Sequence, residues 1–291
     1  MASQHKTYRQ RATRRRLLAA IAGMACGALG LPREASAASL KLGLLPYLNT
    51  RTLIQNYTPL AAFLGKALGL GVQLETAPDF TTFVQRAFRG DYDLMLMAPH
   101  YARLAEVEYG YRPLLIHKTP IRALLIVAKH QPLASVADLR GTTLAVHERS
   151  AIIAILGVSW LRDHGLEENR DYHFVQTVTH SSALLHVQSG RARAALVSYS
   201  TLIQAPAELQ QDIDIAYEYA RIPGLYLLAH PRLAPAQTQA VRAALIRFEQ
   251  SPEGQAFFKT TGHGGYREVS PEDARLLDRS LPETRRLLGH P

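Results

Sequence analysis

Beyond Ala38 the chain alternates short apolar runs with stretches whose apolar residues recur at every third or fourth position. That order predicts strand–helix units and an α/β fold with largely parallel sheets. Leu40 to Leu45 reads as a buried strand. Leu53, Tyr57, Leu60, Ala61, Leu64 and Leu68 then fall at helical spacing until Gly69 stops them. A strand at Val72 to Thr76, a loop at Ala77-Pro78-Asp79, a helix through Phe83 to Phe88 and a strand at Leu94 to Ala98 follow. Further along, strands are expected at Thr143 to Val146, Phe174 to Thr177 and Ala194 to Val197. Between the first two lies a helix from Ala151 to about His164, apolar on most sides through Ile152, Ile153, Ile155, Leu156, Val158, Trp160 and Leu161, hence buried. Pro235 opens a helix with Val241, Ala244, Leu245 and Phe248 on one face, and Ser251-Pro252-Glu253-Gly254 starts another.

An internal echo runs through this pattern. Phe83 to Gly90 leads into the strand Leu94 to Met97, and Leu185 to Gly190 leads into Ala194 to Val197. The first strand runs into Pro99-His100-Tyr101 and the second into Ser198-Tyr199-Ser200. Ligands of open α/β sheets sit outside the carboxyl ends of strands, so two such lobes facing each other would form a cleft between those loops. Residues 38–125 and 226–291 are expected to form lobe one and residues 126–225 lobe two. The apolar runs Ala123 to Ala128 and Leu225 to Ala229 suit two crossover strands that act as a hinge. Asp91-Tyr92-Asp93 reads as a solvated turn.

Composition narrows the function. With 47% hydrophobic and 20% charged residues in 291, the chain has material for two globular lobes. Its formal charge of +9 is concentrated at the start: residues 1–37 hold seven Lys and Arg against one acid, leaving 26 basic and 23 acidic residues after position 37. Nucleic acid is therefore not an expected partner. The basic Arg14-Arg15-Arg16, the apolar run Leu17 to Leu31 and the small residues Ala35-Ser36-Ala37 make a cleaved export signal, with the mature chain starting at Ala38 in the periplasm. Thr13-Arg14-Arg15-Arg16-Leu17-Leu18 fits a twin-arginine signal as well as a general secretory one. The single cysteine, Cys26, lies inside the apolar run without the large aliphatic residue of a lipoprotein signal, so the mature chain has no thiol.

Several stretches carry a resemblance. Leu42-Gly43-Leu44-Leu45-Pro46-Tyr47, Thr76-Ala77-Pro78-Asp79-Phe80, Gly90-Asp91-Tyr92-Asp93-Leu94, Val136-Ala137-Asp138-Leu139-Arg140-Gly141 and Ser251-Pro252-Glu253-Gly254 resemble the periplasmic substrate-binding proteins of phosphate, phosphite and phosphonate ABC transporters. The resemblance implies a type 2 periplasmic binding protein fold, two α/β lobes joined by two crossover strands, closing on a small ligand. It also implies ligand contacts from Tyr47, from the loop of His100 and Tyr101, from Ser150 and from His180. Where the family has a serine- and threonine-rich turn, this chain has His147-Glu148-Arg149-Ser150, and Ser198-Tyr199-Ser200 lacks the carboxylates that a ligand amine would need.

The chemistry of these residues points the same way. A helix start offers free N–H groups and a favourable dipole to an anion, and Ser150 as N-cap or Arg149 as a forked donor would complete such a site. The alternative is that Ser150 only caps and Arg149 pairs with Glu148. Asp79 after Ala-Pro reads as an N-cap. His100, His147 and His180 at strand ends are also a conceivable metal-binding set, although no local ligand spacing supports it. There is no nucleophile motif, P-loop or dinucleotide fingerprint, so binding without catalysis and without a cofactor is the expected class. The expected partners are a small anionic ligand, such as phosphite, phosphate or a phosphonate, and an ABC permease in the inner membrane. A periplasmic sensor that partners a membrane kinase and a histidine-based metal carrier are the alternatives, and a monomer is expected.

Overall fold

A computed structural model describes residues 39–289. The expected export signal, with Cys26, lies outside the described residues.

Each apolar run becomes a strand because it can be covered on both faces, and each amphipathic stretch becomes the helix that covers it. The first half runs β1 (Ser39–Leu44), α1 (Thr50–Leu68), β2 (Gly71–Glu75), α2 (Phe80–Phe88), β3 (Leu94–Met97), α3 (Pro99–Tyr109) and β4 (Arg112–His117). The second half follows as β5 (Ile121–Ala128), β6 (Thr142–Val146), α4 (Ile152–Asp163), β7 (Tyr172–Gln176), α5 (His180–Gln188), β8 (Ala194–Ser198), α6 (Tyr199–Ile203), α7 (Ala207–Gln211) and β9 (Ile213–Ile222). The chain then returns through β10 (Tyr226–Ala229), α8 (Pro235–Gln250), α9 (Pro252–Thr261), β11 (Tyr266–Arg267), α10 (Pro271–Asp278) and α11 (Leu281–Leu288). No helix among the described residues is long and apolar enough to cross a membrane.

Two sheets result, one of order β11-β4-β10-β3-β1-β2 and one of order β7-β6-β8-β5-β9. The strand–helix units build parallel pairs: β1 with β2 and β3, and β6 with β7 and β8. The expectation of largely parallel sheets fails for the rest. β10 runs antiparallel to β3 and β4, and β5 runs antiparallel to β8 and β9. Parallel neighbours need a crossover connection, whereas β5 and β10 each enter directly from the other sheet and so run the opposite way. Both apolar runs read as crossovers are thus strands within the sheets, and the chain passes between sheets at residues 118–120 and 223–225.

The core follows the alternation of side chains along strands. In β5, Leu124, Ile126 and Ala128 join one apolar cluster and Leu125 and Val127 another, on opposite faces of the sheet. A third cluster covers the six-stranded sheet and also takes in Ala151, Ile152 and Ile153 from the start of α4. The Asp91-Tyr92-Asp93 turn is not solvated as expected. Tyr92 is fully buried, stacked on Phe83 at 5.1 Å, and Asp93 accepts the backbone N–H of Lys41 at 2.8 Å. Its ring lies over Gly43, where a β-carbon would come within 2.6 Å of it.

Candidate functional site

The carboxyl ends of the parallel strands of both sheets converge. β1 ends in Leu45-Pro46-Tyr47, β2 in Ala77-Pro78-Asp79, β6 in His147 to Ser150 and β7 in Thr177-Val178-Thr179. Between them is a cavity of about 230 Å3. Pro46, Asp79 and Phe80 line it from one side, and His147, Glu148 and Thr177 from the other. Asp79 caps α2 as expected, accepting the N–H of Thr82 at 2.7 Å and lying 3.0 Å from its hydroxyl.

Beside this cavity the halves are joined by a buried seam. The expected loop of His100 and Tyr101 is the first turn of α3, which Pro99 opens because its missing N–H is not needed there. Tyr101 Oη lies 2.9 Å from the carbonyl oxygen and 2.8 Å from the Oγ of Ser150, and His100 Nε2 lies 2.9 Å from the same carbonyl. A carbonyl only accepts, so Nε2 carries the imidazole proton and Nδ1 is the acceptor, which has no protein partner. All three residues are buried. Burial pushes the His100 pKa down to about 3 and that of the Tyr101 hydroxyl up, so both are neutral at physiological pH.

Ser150 is not the N-cap of α4. That position is Ala151, without a side-chain cap, because the Ser150 hydroxyl donates to Glu148 Oε1 at 3.0 Å and meets Tyr101. Arg149 does not pair with Glu148 either. Its guanidinium reaches Glu168 at 2.8 Å and Glu283 of α11 at 3.6 Å, in a separate cavity of about 250 Å3 that also holds Arg162 and Arg286. Neighbouring residues in a turn face different ways, which places Glu148 in the cleft and Arg149 behind it.

His147 Nδ1 lies 2.9 Å from the Thr177 carbonyl, which ties the ends of β6 and β7 together, and its ring meets Phe80 edge-on at 6.2 Å. Tyr47 Oη lies 3.0 Å from Tyr57 Oη and 3.2 Å from His263 Nε2. Ser198 caps α6, accepting the Thr201 N–H at 3.2 Å and lying 2.8 Å from Ser200 Oγ. His180 is the first residue of α5, whose cap is Thr179. The structure therefore brings His100, Tyr101 and Ser150 together and leaves Arg149, Tyr47 and Ser198 in other contacts. Among the described residues no group of three or more His, Cys, Asp or Glu is placed to hold a metal ion. The sequence pattern includes Phe80 and Thr177 only as parts of a loop and a strand and does not point to His263 or Glu283; the glycine-rich Gly262-His263-Gly264-Gly265 is the one local signal there.

Two comparisons bear on what this arrangement is for. The family model of the periplasmic substrate-binding protein of phosphonate ABC transporters matches residues 42–274. Among solved structures, PhnD1 from Prochlorococcus marinus in complex with methylphosphonate is 12% identical, with a TM-score of 0.74 over 86% of this chain and 98% of that one. A Xanthomonas citri protein bound to a chloride ion is 20% identical, with a TM-score of 0.72 over 87% of this chain and 99% of that one. The aliphatic sulphonate binding protein SsuA of Escherichia coli is 18% identical, with a TM-score of 0.58 over 87% and 94%. At these identities the solved structures establish a type 2 periplasmic binding fold, and the match over residues 42–274 establishes more: the chain belongs to the family of periplasmic substrate-binding proteins of phosphonate ABC transporters.

Proposed function

We propose that this protein captures a small phosphonate or related oxyanion between its two halves, hands it to an ABC permease, and leaves it chemically unchanged. The carrying observation is the cavity of about 230 Å3 at the carboxyl ends of strands from both sheets, whose lining residue Glu148 accepts from Ser150 of the seam that Tyr101 and His100 complete. A volume of that order suits a ligand of few atoms. The halves act as lobes that open about the two chain crossings at residues 118–120 and 223–225, and the seam is the contact that opening breaks.

In this reading His100, Tyr101, Ser150, His180 and Ser198 contribute to the cleft, Tyr47 serves it through the loop it anchors, its hydroxyl being engaged by Tyr57 and His263, and the oxyanion is held by hydroxyl and N–H donors. Arg149, behind Ser150, acts by fixing the turn. Asp79 and Glu148 line the cavity, Asp79 also capping α2 and Glu148 also accepting from Ser150. Compact oxyanions are favoured over aminoalkylphosphonates because the Ser198-Tyr199-Ser200 turn carries no carboxylate to offset the desolvation of an ammonium. Export proceeds by cleavage after Ala37.

Calorimetry of protein recovered from the periplasm, against methylphosphonate, phosphite, phosphate and 2-aminoethylphosphonate, tests this. One compact oxyanion is expected to bind one to one, with Tyr101→Phe and Ser150→Ala each weakening it by about tenfold or more. The recovered chain should have the mass of one starting at Ala38. Tightest binding of the aminoalkyl compound, turnover of any of the four, or oxyanion affinity unaltered by both substitutions would overturn the assignment.

A further inference from the structure

The loop after β1 reaches the cleft through Pro46, and its next residue, Tyr47, turns its hydroxyl inward to a closed polar triangle. The three sides are Tyr47 Oη to Tyr57 Oη at 3.0 Å, Tyr57 Oη to His263 Nε2 at 3.0 Å and Tyr47 Oη to His263 Nε2 at 3.2 Å. Burial pushes the His263 pKa down to about 4 and both tyrosine hydroxyls up, so the triangle is uncharged and its members depend on one another for partners.

His263 also holds the first chain crossing. Its carbonyl accepts the N–H of Thr119 at 3.1 Å, the Gly265 carbonyl accepts that of Lys118 at 2.9 Å, and its ring stacks on His117 at 3.9 Å and 17°. His117 in turn donates its backbone N–H to Leu225 in the second crossing at 2.9 Å. There is no slack there: a β-carbon on Gly224 would come within 2.5 Å of the His117 carbonyl oxygen and 2.7 Å of that of Thr119. Residues 117–119 are thus clamped between 224–225 on one side and 263–265 on the other.

We infer that His263 is a positioning residue that couples the cleft loop of Pro46 and Tyr47 to both chain crossings, so that a displacement of that loop is felt where the halves pivot. The inference rests on the hinge reading above, but not on the identity of the ligand. A packed cluster with both ends specified by hydrogen bonds transmits a shift, whereas the exposed remainder of the loop would absorb it.

Amide hydrogen exchange of the ligand-free full chain tests it. Tyr47→Phe removes one hydroxyl 71 positions before Lys118 in the chain and is expected to speed exchange at Lys118 and Thr119 by about three- to tenfold. His263→Ala should do the same or more at Lys118, Thr119 and His117, and His263→Gln, whose amide can still reach the hydroxyls, should recover most of the protection. Amides of β6 and β8, remote from the cluster, should exchange at the wild-type rate. Unchanged crossing amides in Tyr47→Phe would overturn the coupling. So would a uniform rise that included β6 and β8, because that would report lost global stability. Since no ligand is added, a wrong ligand assignment in the cleft would leave this result intact.

Discussion

Gly43 is a strand residue with ordinary strand neighbours, and no property of its own sequence position demands glycine. The demand comes from Tyr92, whose Cγ and Cδ2 lie 2.6 Å from where a β-carbon would be. Gly43→Ala is expected to destabilise the fold by about 1–3 kcal/mol, because the buried ring can yield only by displacing Phe83 beneath it. Urea denaturation measures it, and a midpoint equal to wild type would mean that the ring moves freely. Ser150 makes a similar point at the cleft: its hydroxyl is a satisfactory cap in isolation, yet the packed structure uses it between Glu148 and Tyr101.

At the scale of elements, the helices begin where local chemistry says they should. Asn49, Asp79, Thr179, Ser198, Ser251 and Ser270 each accept a backbone N–H of the turn they precede. Asp79 is the informative case because it also lines the cavity. Asp79→Ala should lower stability by ~1 kcal/mol, while Asp79→Asn, an equally good cap, should leave it near wild type. If Asp79→Asn keeps stability but alters affinity for 2-aminoethylphosphonate in calorimetry, the carboxylate faces the ligand. If neither quantity changes, its role is capping alone. The strands missed by periodicity have a physical explanation at this scale too. β9 is an edge strand with only its terminal residues Ile213 and Ile222 buried, and in β4 the buried apolar run is just Leu114, Leu115 and Ile116 after Pro113, a residue that argues against a central strand.

Across the whole molecule, the buried imidazoles of His100 and His117 and the half-buried residue His263 set an acid limit. Burial pushes His100 down to about 3 and His263 to about 4, and it holds His117 well below its ordinary value, with a contribution from the neighbouring His263. Each is neutral when folded but takes a proton near pH 6.5 when unfolded, so its contribution to stability is complete above about pH 6.5. It is lost progressively as the pH falls from there towards 4 for His263 and towards 3 for His100. Asp273, held at about 2 by Arg267, contributes stability that is complete above its ordinary value of 3.8 and is lost only as the pH falls from there towards 2. The unfolding free energy from urea denaturation should therefore drop between pH 7 and pH 4.5 by an amount on the order of a few kcal/mol, with a shallower slope in His263→Gln. A slope that appears only below pH 4 would assign acid lability to carboxylates instead.

The amino-acid order by itself determined the strand–helix units, the helix starts and the two echoing halves, because these depend on periodicity and on side chains reaching their own backbone. Five stretches of residues also carried the family resemblance. The tertiary structure decided the direction of β5 and β10, the burial of Tyr92, and which way each residue from His147 to Ser150 faces. It alone joined Tyr47 to His263, 216 positions away, and Arg149 to Glu283. Those outcomes depend on which distant groups compete for the same hydrogen bond or the same volume, and a chain read locally contains no term for that competition.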